Sequence, residues 1–126
     1  MVTPAQQLAE KLHAYTRRYE GEHSSRAKDL FDMLVIAHQV HLPNGAQLTA
    51  EAKRTFAIRQ TDWPPKLNDP PREWTQPWTG FVTEYPMPWD NLGSAYTALK
   101  RFWEPVLHGT AAATNATWHV EYWQWQ

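Results

Sequence analysis

Cysteine is absent from the 126 residues, which excludes a disulfide framework, a thiolate metal site and a thiol nucleophile. No run of about 18 apolar residues occurs, and the opening stretch MVTPAQQLAEKLHAY turns polar at once, without the apolar core of a secretory signal. The chain therefore reads as soluble and cytoplasmic, with no membrane partner. A charge excess is missing too. With 12 Lys plus Arg against 13 Asp plus Glu the net charge is -1, so nothing global draws the chain to nucleic acid or anionic lipid. No internal repeat is present. At this length residues 1–126 are expected to form a single domain with one modest core, too short for a two-lobed enzyme.

What is plentiful is tryptophan, with 8 copies, and proline, with 10 crowded mostly into residues 64–88. Thr3-Pro4 followed by Gln6 is a helix start: Thr3 as N-cap, Pro4 at the first helical position, and Gln6 able to reach back in a capping box. Ala5, Leu8, Leu12 and Tyr15 then form one apolar stripe that Gly21 ends. Ser24 or Ser25 can cap a second helix burying Ala27, Leu30, Phe31, Leu34 and Val35, through about Gln39. Pro43 and Asn44-Gly45 signal a turn, after which Thr49 is expected to cap a third helix through about Gln60, with a weak stripe of Ala52, Phe56 and Arg59.

Residues 61–77 carry five prolines, which hold them and their predecessors in extended or turn geometry, a stiff surface connector. A fourth helix is predicted at about 76–85, where Trp74, Trp78, Phe81 and Tyr85 recur at helical spacing, with Pro77 tolerated only in its first turn. A fifth, capped by Asp90, carries Leu92, Ala95, Leu99, Phe102, Trp103 and Val106, and Pro105 should end or kink it near Glu104. The tail TWHVEYWQWQ has aromatics on both alternating faces, so it fits an edge strand or an extended tail packed on the helices. The expected fold is mainly α: a single-domain bundle of about five helices with a proline-rich connector and an aromatic tail.

The charged residues of the first two helices pose the functional question. Lys28 to Asp32 is an i,i+4 pair and Arg26 to Asp29 an i,i+3 pair, each contributing about 0.2–0.5 kcal/mol on an exposed helix. Lys11, however, flanks the first apolar stripe, and Asp29 and Asp32 flank the second. Consecutive helices joined by a short turn bring such flanks together. A lysine facing carboxylates suits phosphate chemistry: the ammonium offsets phosphate charge, and a carboxylate can hold a divalent cation or take a proton from an attacking hydroxyl.

Two segments resemble motifs of the AbiEii-type nucleotidyltransferase toxins of abortive-infection and toxin–antitoxin systems. LAEKLHAY, Leu8 to Tyr15, is similar to the family's third motif, I-x-x-E-K-x-x-A. RAKDLFDM, Arg26 to Met33, is similar to its fourth, R-x-K/R-D-hydrophobic-x-D. The stretch TFAIRQTDWPPKLNDPPREW, the FWEPVLHG run and the tail also resemble the C-terminal portion of one branch, so the likeness spans nearly the whole chain. The resemblance implies transfer of a nucleotide from an NTP, with Mg2+, to an acceptor that in some relatives is the 3′ end of tRNA. It assigns Lys11 to the nucleotide phosphates and Asp29 to the acid near the reacting hydroxyl, with Glu10, Lys28 and Asp32 supporting.

One departure from the family is large. Such enzymes rely on an upstream glycine-serine turn followed by an Asp-x-Asp pair, which hold the triphosphate and the metal. No Asp-x-Asp occurs in this sequence, and its only Gly-Ser, Gly93-Ser94, falls within a predicted helix. The expectation is a C-terminal portion of such a protein, inactive alone and completed by an N-terminal nucleotidyltransferase lobe, with an antitoxin as a further partner. A missing lobe would leave a contiguous apolar patch and a tendency to self-associate. Cofactors are expected only in the completed site.

Other signals are weaker. His38 and His41 have chelating spacing without a third ligand. His13 lies beside Lys11 in the helix. Lys11, Arg17, Arg18, Arg26 and Lys28 gather near the first turn, against Glu10, Glu20 and Glu22, and the tryptophans could stack bases. These last features define the alternative, a stand-alone helical module that binds RNA or a protein. The NAT sequon at Asn115 is read as accidental.

Overall fold

The computed structural model describes residues 2–17, 23–39 and 41–126; the side chains of residues 23–26 lie outside that description. Among the described residues the chain forms α1 (Pro4–Thr16), α2 (His23–Gln39), α3 (Gly45–Ile58), a 3-10 turn (Arg72–Trp74), α4 (Thr75–Glu84), α5 (Leu92–Leu107), α6 (Thr110–Ala113) and two short strands, β1 (Trp118–His119) and β2 (Gln124–Trp125). The fold is mainly α, as the sequence leads one to expect, with α6 as a short addition. No described helix is long and apolar enough to cross a membrane.

The start of α1 follows from three residues. The Gln6 N–H donates to Thr3 Oγ1 at 3.1 Å while Thr3 N–H donates to Gln6 Oε1 at 2.9 Å, and Pro4 opens the helix. These bonds satisfy donors that a helix N-terminus otherwise leaves free. Ala5, Leu8, Ala9, Leu12 and Tyr15 are all buried. The proposed stop at Gly21 and the charges at Arg18, Glu20 and Glu22 lie outside the described residues; α1 ends at Thr16. The α2 helix begins at His23, before either serine expected to cap it. It buries Ala27, Leu30, Phe31, Met33, Leu34, Ile36 and Ala37, too many for one stripe, because α1, the 3-10 turn, α4 and α5 all pack on it.

Three sequence expectations are corrected. Asn44, not Thr49, caps α3: Asn44 Oδ1 accepts from Gln47 N–H at 2.9 Å, and Thr49 lies buried inside the helix. Asn44-Gly45 is thus a helix entry instead of a free turn. The reason is long-range: Gly45 N–H donates to the Ala116 carbonyl at 2.7 Å, and a Cβ there would sit 2.5 Å from the Ala111 carbonyl oxygen. Second, Asn91, not Asp90, caps α5, accepting from Ser94 N–H at 2.8 Å. Third, of the two outcomes expected at Pro105 the ending does not occur: α5 runs through it to Leu107. An interior proline costs about 3 kcal/mol, but stopping at Glu104 would unseat Val106 and Leu107, both buried. Pro77, in contrast, sits in the first turn of α4, where its missing N–H has no intrahelical partner to lose.

The proline-rich connector is less superficial than its composition suggests. Leu67 is buried, its carbonyl accepts from the Tyr96 hydroxyl at 2.7 Å, and the Asn68 carbonyl accepts from Tyr15 at 2.6 Å. Prolines deprive the segment of its own donors, and hydroxyls from α1 and α5 supply them. In the tail, β1 and β2 pair antiparallel, Trp118 opposite Trp125 and His119 opposite Gln124. Both alternatives for it are therefore partly realised: a minimal strand pair, packed on α5. Its indoles reach helix carbonyls, Trp118 to Ala37 at 3.0 Å, Trp123 to Ala98 at 2.8 Å and Trp125 to Phe102 at 2.7 Å.

Gly45→Ala is expected to destabilise the protein by about 1–3 kcal/mol, the scale of overpacking at a site that cannot give, despite alanine's better helix propensity. Urea unfolding checks this: a midpoint equal to or above that of the unaltered chain contradicts the close approach of α3 to α6.

Candidate functional site

Between α1 and α2 runs an open cleft of ≈ 600 Å³. Its walls are two helical stripes. Gln7, Glu10, Lys11 and Ala14 come from α1, and Asp29, Asp32, Val35 and Ile36 from α2, with Val2 at one end. Lys11 Nζ lies 2.8 Å from Asp32 Oδ2 and 3.9 Å from Asp29 Oδ1. Lys28 Nζ approaches the other oxygen of Asp32, Oδ1, at 3.2 Å. Asp29 is buried, with 8% of its surface exposed, whereas the Lys11 side chain keeps 34% and Lys28 59%.

The convergence of Lys11, Asp29 and Asp32 is the geometry that two flanking stripes on adjacent helices predict. Lys28 belongs to the same cluster through Asp32, although it does not line the cleft. Glu10 turns its carboxylate elsewhere: Oε1 accepts from Arg59, the C-cap of α3, at 2.6 Å, an exposed pair that ties α1 to the end of α3. The expected Arg26–Asp29 pair falls on a side chain outside the described residues.

This donor set does not fit a divalent cation. Asp29 and Asp32 both face the Lys11 ammonium, and no group of three His, Asp or Glu side chains with metal-holding geometry occurs among the described residues. His38 packs beside the Trp89 and Trp123 rings, and His41 is exposed, with no third ligand. Gly93-Ser94 lies in the first turn of α5 with Ser94 N–H bonded to its cap, so it is no phosphate-binding turn. All eight tryptophans are buried or half-buried.

A model of the nucleotidyl transferase AbiEii toxin family, type IV toxin–antitoxin system, matches residues 1–95. The chain belongs to this family. The matched segment contains α1, α2 and every residue of the Lys11 cleft. Membership in a toxin–antitoxin family of AbiEii type points to an antitoxin partner. No curated protein and no solved structure matches the chain.

A feature that the sequence did not single out lies on the α3 side of α1. His13 stands edge-on to Phe56, ring centroids 5.2 Å apart, and its Nε2 is buried without a hydrogen-bond partner among the described residues. Burial holds its imidazole below the usual histidine range; the Arg59 and Arg17 charges push the same way and Glu10 opposes them. The i,i+3 spacing of Glu10 and His13 places both on one side of α1, but the packing of Arg59 from α3 was not legible.

The unfolded chain, with a histidine pKa near 6.5, takes up a proton before the folded chain does as pH falls. The stability present above that value is therefore lost as pH drops through it towards the lower folded-state value. His13→Gln should remove this part of the acid sensitivity. Thermal melts between about pH 7 and about pH 5, with the His13 resonance followed by NMR, test it; equal slopes for the two proteins contradict the assignment.

Proposed function

We propose that this AbiEii-family chain supplies the helical wall of a nucleotidyltransferase site, the Gly-Ser turn and the Asp-x-Asp pair coming from a separate N-terminal lobe. The observation that carries this reading is the meeting of Lys11 and Asp29, one from each resembling motif, across a single open cleft. Lys11 offers its ammonium to the phosphates of an NTP, and Asp29 stands near the hydroxyl that attacks, where a carboxylate can accept the proton. Asp32 holds Lys11, Lys28 acts through Asp32, and Glu10 supports the site only by tying α1 to Arg59 at the end of α3. Mg2+ would be held by the Asp-x-Asp carboxylates, since the residues of this cleft do not fit it.

Two exposed apolar side chains stand beside the cleft. Val2, 58% exposed, lines the Lys11 cleft and also an adjoining one of ≈ 280 Å³ that contains Ile58, 65% exposed. Lacking the metal-binding carboxylates, the chain by itself does not transfer nucleotides. The acceptor is an RNA, the 3′ end of tRNA being the first to examine.

Incubation with each labelled NTP, Mg2+ and total tRNA, with and without an N-terminal lobe from an intact relative, tests the reading. Label is expected only with the added lobe, and Asp29→Ala should reduce it by about 10²-fold or more, the contribution of a general base. Labelled RNA from the chain alone contradicts the division of labour. No label in either arm removes the nucleotidyltransferase reading and leaves a binding module.

A further inference from the structure

Asp32 carries two ammonium groups, one on each oxygen: Lys11 at 2.8 Å from inside the cleft and Lys28 at 3.2 Å from outside it. Lys11 cannot give its charge fully to a polyphosphate while it is held by Asp32. If it turned away with no other cation present, it would leave a bare carboxylate facing an incoming polyanion, and like charges a few ångström apart repel strongly. Lys28 removes that obstacle. It sits one helical turn before Asp32 on α2, so the i,i+4 pair persists whatever Lys11 does.

From this geometry we infer that Lys28 is a positioning residue: it stays on Asp32 as counter-ion while Lys11 exchanges the carboxylate for the phosphates of the nucleotide. Lys28 acts through Asp32 and touches no substrate. The inference rests on the nucleotide role proposed for Lys11, and it assigns the pair Lys28–Asp32 a purpose that a solvated helix face lacks. The neighbourhood is otherwise balanced. Asp29 also faces Lys11, at 3.9 Å, while Glu10 is taken up by Arg59, so Lys28 is the described cation left to neutralise Asp32 when Lys11 moves.

Calorimetric titration of the full chain with inorganic triphosphate at low ionic strength separates the roles. Lys28→Met is expected to weaken binding by about tenfold, the scale of one nearby charge left uncompensated, and Lys28→Arg should restore it. The decisive comparison is made in the Asp32→Asn background, where no carboxylate remains to neutralise; there Lys28→Met should have no effect. An equal loss in both backgrounds means that Lys28 touches the anion directly and overturns the inference, as does no loss in either. Should Asp32→Asn fail to fold, the same answer comes from the Arg rescue together with Asp32→Ser. Lys11→Met reports on the underlying reading separately: unchanged binding in that variant removes the nucleotide role of Lys11 whatever Lys28 does. Far-UV circular dichroism melts confirm that each variant is folded.

Discussion

A helix of 17 residues that buries Ala27, Leu30, Phe31, Met33, Leu34, Ile36 and Ala37 needs apolar cover on more than one side, and supplying it sets the course of the whole chain. Such side chains stabilise by about 1.5–3 kcal/mol each for the larger ones when fully removed from water, so leaving α2 half-covered would forfeit most of the core. The cover arrives from α1, the 3-10 turn, α4 and α5. Phe31 meets the Trp78 and Phe81 rings at 5.8 and 5.4 Å, Met33 accepts the Trp103 indole N–H at 3.2 Å, and Trp118 bonds the Ala37 carbonyl near the end of the helix. Among the described residues, Lys28, Asp32, Val35 and Gln39, at helical spacing, form a stripe of α2 that is not buried. The cleft lies against part of that stripe, at Asp32 and Val35, where charge can be kept near water.

Stability alone gives little account of the charges placed there. Partly exposed ion pairs contribute about 0–1 kcal/mol, and an apolar residue at position 32 would pack against Val35 and Lys11's methylenes without a desolvation cost. Burying Asp29, meanwhile, is unfavourable unless its charge is matched. A carboxylate sunk into a helix interface, with a half-exposed lysine in front of it, is an arrangement in which the lysine can change partners at small cost while the acid cannot move. The fixed acid and the flexible lysine stem in front of it leave the ammonium able to turn outward while its carboxylate partners keep their places.

The parts of this architecture that the sequence discloses are those settled locally. The Thr3-Pro4-Gln6 entry, the α1 stripe and Pro77 in a first turn all depend on residues within one turn of each other. The placement of Lys11 against Asp29 and Asp32 was also readable, since it needs only two stripes and a short connection. What escaped depends on distant partners. Asn44-Gly45 resembles a turn until Ala111 and Ala116 are brought against it. Pro105 resembles a stop until the burial of Val106 and Leu107 is counted. Residues 64–71 resemble a surface strap until Tyr15 and Tyr96 bond its carbonyls. The sharing of Asp32 between two lysines depends on rotamers, which spacing does not specify, and the depression of the His13 pKa depends first on burial and then on Arg59, brought up at the end of a third helix.

The family match ends at residue 95, inside α5, yet the residues beyond it cannot be treated as an appendage. Trp103, fully buried, and Trp118, whose indole bonds α2, both lie past that point. Ala116 accepts the Gly45 N–H that opens α3, and Trp63 from the connector donates to Leu107 at 3.1 Å. Without this last quarter, α2 would lose cover on the sides facing α5 and the hairpin. Asp29 and Asp32 would then ride on a helix free to shift against α1. A cation and two carboxylates act together only while their backbones are held to within a fraction of an ångström. The aromatic tail therefore belongs to the site mechanically although none of its residues lines the cleft: it holds α2 in the register that sets Lys11 against its two acids.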